Sequence, residues 1–180
     1  TNGDLTLAAG GTHSGALQTL GGPVRFTGGT HSFAPGATIP GDLELAGATL
    51  NVANDPTLTG TLDWVIGTIR GNTNAGPQGG SLIIAPGALV DVRATSNRTL
   101  IDATLDTRGT VAIDTASNRL FLSRSSVDVT GGGVLDIRNS GTVSPSTGGG
   151  SINVLGGGTL QKTMDTGISI FAVPVNATSG

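Results

Sequence analysis

The chain has 180 residues, a net charge of −3, 12% charged residues, 31 glycines, one tryptophan and neither tyrosine nor cysteine. That length supports one domain with a real core, and the missing cysteines exclude disulfides. Scattered arginines on a slightly acidic chain exclude a nucleic-acid footprint. Glycine is not spaced every third residue, which excludes collagen, and no apolar run approaches 18 residues, so this segment is not expected to insert in a membrane.

From the start of the chain one short phrase recurs: Asp4-Leu5-Thr6-Leu7, Pro23-Val24-Arg25-Phe26, Asp42-Leu43-Glu44-Leu45, Thr61-Leu62-Asp63-Trp64 and Ser81-Leu82-Ile83-Ile84. Its first apolar residue falls at 5, 24, 43, 62 and 82, at spacings of 19, 19, 19 and 20 residues. Each phrase is apolar at alternate positions, the period of a strand, and runs into a glycine-containing turn. A fixed period near 20 carrying one strand per repeat is a solenoid signature. No ten-residue window keeps a helical apolar face, so almost no helix is expected.

The column continues more loosely through Leu105, Val127 and Ile152. A second column follows through Leu50, Ile69, Leu89, Val111, Leu135 and Leu160. A fainter third takes Leu20, Ile39 and Leu58, then Leu100, Leu120 with Leu122, Val143, and Ile168 with Ile170. Three short strands per repeat and about eight repeats describe an all-β fold, a single parallel β-helix. Its coils, at about 4.8 Å each, would rise roughly 38 Å. A β-sandwich also has many short strands but would not generate three columns of one period. Uneven coil lengths favour a right-handed helix.

Alternation assigns faces. Leu5, Val24, Leu43, Leu62 and Leu82 point inward with Leu7, Phe26, Leu45, Trp64 and Ile84, whereas Thr6, Arg25, Glu44, Asp63, Ile83, Asp106, Asp128 and Asn153 point outward. Glycine pairs after the first strand are corners, where positive φ is needed. They are not phosphate loops, which end in Gly-Lys-Ser/Thr before a helix. Gly71–Gly80 and Ser144–Gly150 read as longer loops leaving the body, where binding concentrates. The pattern runs to both ends, so residues 1–180 read as one solenoid domain, a segment of a longer repeat protein.

Candidate chemistry is sparse. His13 and His31 lie in a duplicated Gly-Thr-His-Ser phrase, 18 residues apart, which places them on adjacent coils. Zinc wants three or four ligands, so a solvent-facing repeat position is the plainer reading. Glu44 with Asp63, and Asp106 with Asp128, recur at one outward position of successive repeats. Stacking sets each pair about 5 Å apart, suiting a glycosidase carboxylate pair or calcium, though Arg25 in the same column points to an ion-pair ladder. Asp91 and Asp136, each followed two residues on by arginine, read as local charge pairs. A flat threonine array for ice binding needs threonine at one outward position in coil after coil, and the outward column read above is mixed. Asn97-Arg98-Thr99 and Asn176-Ala177-Thr178 fit the N-glycosylation pattern, which matters only in a eukaryotic secretory host. Trp64 has core parity, which leaves no aromatic sugar platform.

The phrases Gly80-Ser81-Leu82-Ile83-Ile84-Ala85-Pro86-Gly87-Ala88-Leu89, Gly132-Gly133-Val134-Leu135-Asp136-Ile137 and Gly157-Gly158-Thr159-Leu160-Gln161-Lys162 resemble repeats of large secreted bacterial β-helix proteins. These include autotransporter passengers and filamentous-haemagglutinin-like adhesins. The resemblance covers nearly the whole chain through its apolar and glycine patterning. It implies a secreted or cell-surface stalk or adhesive segment without enzymatic activity or cofactor. Its partners would be further repeats of the same chain and host or environmental glycans or proteins. The alternative is a polysaccharide lyase or hydrolase working from the outward carboxylates. The motifs of such enzymes, Asp/Asn clusters beside Arg, Lys or Gly-His-Gly, are not recognisable here.

Overall fold

Short alternating segments between glycine-rich corners become strands, and each pairs in parallel with the strand one coil further along. The computed structural model describes residues 3–15, 17, 21–73, 75–93, 96–114, 119–164 and 167–178. The chain is a parallel β-solenoid of about seven turns, 55% strand with almost no helix. The helical element described is a 3-10 turn, Gly76–Gly79.

Strands fall into three stacks. The first runs through Leu5–Leu7, Val24–Phe26, the leading half of Leu43–Asn51, the leading half of Thr61–Arg70, Leu89–Arg93, Thr110–Asp114, Val134–Ile137 and Thr159–Lys162. The second takes Gly11–His13, Thr30–Phe33, the trailing halves of the two long strands, Arg98–Ile101, Arg119–Ser123, Thr142–Pro145 and Ile170–Phe171. The third takes Thr38–Ile39, Thr57–Leu58, Ser81–Ile84, Thr104–Thr107, Ser125–Val129, Gly150–Val154 and Val175–Ala177.

Leu43–Asn51 and Thr61–Arg70 turn a corner without ending, which fuses the first two stacks in those coils. Gly47 and Gly67 make the bend at φ +121° and +123°. A Cβ on Gly67 would run into the carbonyl oxygen of Ala48, so glycine alone fits both the angle and the space.

The inward assignments hold for Val24, Phe26, Leu43, Leu45, Leu62, Trp64, Leu82 and Ile84, all buried. Leu5 is the exception at 41% exposed, because among the described residues it has a strand on one side only. The inward column Leu7, Phe26, Leu45, Trp64, Val92, Ile113, Ile137 finishes on Lys162. The Lys162 ammonium turns aside to the Asn139 carbonyl at 3.2 Å and Ser169 Oγ at 3.0 Å.

The three columns read from sequence are each displaced by one stack beyond Trp64. Leu62 pairs with Val90, not Leu82, while Leu58 pairs with Ile84. The cause is the segment 71–80. It lengthens the corner ahead of the third stack, so Ser81–Ile84 resumes the coil where Thr57–Leu58 had stood. This segment does not simply leave the body. Gly71, Gly79 and Gly80 are buried, and a Cβ on Gly79 would strike the carbonyl oxygen of Asp102. The other expected loop is only a corner, residues 146–149 between Thr142–Pro145 and Gly150–Val154. Leu20 lies outside the described residues.

At the corner before the third stack, Asp55, Asp102 and Arg124 adopt φ of 51°, 51° and 48°, a region that disfavours side chains. The fully buried Asp102 receives Arg124 Nε at 2.6 Å and Nη2 at 2.7 Å from the next coil. This two-point bond pins adjacent coils where their backbone is least favourable. Arg124→Ala strands a buried carboxylate, whereas Asp102→Asn keeps a neutral partner. Arg124→Ala is therefore expected to lower the melting temperature more than Asp102→Asn. Equal losses in thermal denaturation would show that the backbone turn, not the charge pair, sets the stability of this corner.

Candidate functional site

The two histidines occupy adjacent coils, as the duplicated phrase requires, but they face inward rather than toward solvent. Alternation within Thr30–Phe33 sends His31 and Phe33 to the same side, and both are 1% exposed. His31 stands in register with Leu50, and His13 with Phe33, so both rings continue columns of the core. His31 Nε2 donates to the Gly28 carbonyl at 3.0 Å, which leaves its Nδ1 to accept from His13 Nε2 at 3.1 Å. Phe26 stacks on His31 with centroids 4.2 Å apart, and Phe33 lies 5.3 Å from His13. Burial first, and His31 second, hold His13 below the ordinary histidine range.

The carboxylates divide between two stacks, not the single column read from sequence. Glu44 and Asp63 are in register on the first stack, as expected. Asp106 and Asp128 are in register on the third. The outward column of the first stack reads Thr6, Arg25, Glu44, Asp63, Asp91, Ala112, Asp136, Gln161. Arg25 lies 3.4 Å from both Asp4 and Glu44. Arg93 pairs with Asp63 and lies 3.5 Å from Asp91, and Arg138 lies 3.0 Å from Asp136. The Asp-x-Arg phrases are thus local ion pairs, as read from sequence.

Asp91 is the residue that sequence reasoning placed in the wrong column. It lies directly beside Asp63 on the next coil, and its Oδ1 is buried without a hydrogen-bond partner. Burial pushes its carboxyl above the ordinary aspartate range; Arg93 opposes the shift and Asp63 adds to it. The repeated Asp-Val-Arg and Asp-Ile-Arg phrases mark this face, but only the displaced register brings Asp91 to Asp63.

On the third stack, Arg108 Nη2 holds Asp106 at 2.7 Å, and Thr130 Oγ1 donates to it at 3.2 Å. Asn153 Nδ2 donates to Asp128 at 2.6 Å, and Asn176 Nδ2 to Asn153 at 2.9 Å, giving a side-chain ladder along three coils. Asn176, half of one glycosylation phrase, is thereby engaged, and Arg98 in the other is wholly buried. Among the described residues no group of three or more His, Asp or Glu side chains could hold a metal ion.

The second stack carries a feature the sequence columns hid. Thr30, Thr49, Thr68 and Thr99 stand in register at one outward position, ending against Phe121. The parallel column is mixed: Ser32, Asn51, Arg70, Ile101. A depression of ≈ 470 Å³ lies elsewhere, between Gly21–Val24 and Pro40–Asp42, with Asp42 its one charged lining residue.

Chemically, then, the surface offers ion-paired and amide-laddered faces, one aspartate pair of unlike environment, and a buried imidazole pair. Compared with known proteins, the chain matches no family model, no curated protein and no solved structure.

Proposed function

We propose that this chain is a non-enzymatic segment of a secreted or cell-surface protein, serving as a rigid stalk or an adhesive surface. The observation that carries the reading is how the outward carboxylates are engaged. Glu44, Asp63 and Asp106 are ion-paired to arginine, and Asp128 is tied to an asparagine ladder, so their first role is to clamp coil to coil. The resemblance of the repeats to bacterial β-helix adhesins supplies the location and the partner class, glycans or proteins, with further coils as neighbours. Calcium is not required by this reading.

Binding of the intact protein to arrays of glycans and extracellular proteins, run beside turnover assays on acidic and neutral polysaccharides, tests it. Turnover of any polysaccharide would overturn the non-enzymatic reading.

One observation favours polysaccharide processing as a second reading. Asp63 and Asp91 are neighbours of unlike environment, and a raised carboxyl beside an ionised one is the arrangement of a general acid with its partner. Asp91→Asn separates the two readings. A raised folded value means that the folded state holds the Asp91 proton more tightly. Stability from this group is present at low pH and falls as pH rises from the ordinary carboxyl value through the folded one. Asp91→Asn is therefore expected to raise the melting temperature slightly at neutral pH, with the difference vanishing below about pH 4. Under the second reading the same variant also abolishes turnover.

A further inference from the structure

We propose that the His13–His31 pair is an acid-sensitive latch that holds the first coil, strands Leu5–Leu7 and Gly11–His13, on the second. The hydrogen-bond chain has one direction at neutral pH. His31 spends its N–H on the Gly28 carbonyl, so its Nδ1 is the acceptor that His13 Nε2–H requires. One added proton can be accommodated on the outer nitrogen of His13, or by reversing the bond between the rings. A second cannot, because both facing nitrogens would then carry hydrogens at 3.1 Å.

The surroundings offer no compensation. The neighbouring strand Val24–Phe26 presents Phe26 to both rings, and Thr30–Phe33 presents Phe33 to His13. The third contact is the Gly28 carbonyl. The nearby charged side chain, Arg25, is on the outward face between Asp4 and Glu44. No carboxylate among the described residues contacts either imidazole, so charge placed on the pair is charge placed in the core. Few other contacts resist opening, since Leu5 is exposed and Leu7 only half-buried. Release would uncover the edges of Val24–Phe26 and Thr30–Phe33, a pair of parallel edges open to another strand.

Hydrogen exchange on the intact protein, expressed as protection relative to the free peptide, tests the latch. Between about pH 7.5 and about pH 5, protection of residues 5–13 is expected to fall about tenfold or more while residues 43–137 keep theirs. The double variant His13→Phe with His31→Leu installs the residue types that Phe33 and Leu50 supply one coil on. It is expected to keep its protection at both pH values. Unchanged protection of 5–13 in the parent, or an equal loss in the double variant, would overturn the latch. A ring-nitrogen NMR titration of the parent gives an independent reading. The pair should show Nε2–H on both rings at neutral pH and titrate as a coupled unit, and two independent ordinary histidine titrations would contradict the proposal.

Discussion

Trp64→Ala is expected to cost about 3–5 kcal/mol and to open the middle coils to protease. The indole is wholly buried between Leu45 and Val92, its register partners on the adjoining coils, and its Nε1 donates to the Gly67 carbonyl at 3.2 Å. Truncation leaves a cavity and also frees the carbonyl that helps hold the corner bend. Each coil of a solenoid is supported only by its neighbours, so the damage reaches both sides. Chemical denaturation measures the loss, and cleavage sites within 43–93 locate it. In the parent protein, emission from this single tryptophan should be blue-shifted, with no tyrosine to obscure it. Emission resembling free tryptophan would contradict the burial.

Arg98→Ala is expected to be comparably damaging, at about 3–5 kcal/mol. Arg98 is completely buried, and no carboxylate among the described residues pairs with it. Its Nε donates to the Trp64 carbonyl at 3.1 Å, its Nη2 to the Arg93 carbonyl, and its Nη1 has no partner. Burial pushes the guanidinium below the ordinary arginine range. A buried cation without an anion is itself unfavourable, and apolar residues of similar volume often serve as well. Arg98→Met should therefore recover more than half of the alanine loss in the same denaturation assay. A methionine variant as unstable as the alanine one would mean that the two carbonyls, not the filled volume, need this side chain. Because Arg98 touches the backbone of Trp64, the Trp64→Ala, Arg98→Ala double variant should lose less than the two single losses combined.

The solenoid was legible because its first four coils repeat almost without error. Val24, Leu43 and Leu62 stand where a 19-residue period puts them, and parity placed Trp64 in the core. What was not legible was phase beyond Trp64. Leu82 falls at nearly the right spacing from Leu62, yet the extra residues of 71–80 move it to another stack. A short apolar triplet has no mark of which stack it belongs to, so the error passed to every later coil. It separated Asp91 from Asp63 in the reading, and it hid both the threonine column and the Asp102–Arg124 bridge. The histidines were misplaced for a different reason. Polar residues are ordinarily assigned to solvent, and here the aromatic at Phe33, two residues after His31, was the sign that this side of the strand is the core.

The two bent strands have a consequence for the order in which the molecule assembles. Leu43–Asn51 and Thr61–Arg70 pair at seven register positions, whereas no other pair of strands matches at more than five. In a one-dimensional array, folding can nucleate anywhere and propagate by adding neighbours. The expensive step is closing the first loop of about one coil, so it is repaid best where the largest number of backbone pairs forms at once. Nucleation is therefore expected at the Leu43–Arg70 hairpin-like pair of coils, with growth outward in both directions. A chain built this way assembles from its middle, and its terminal coils are the last to join and the first to leave.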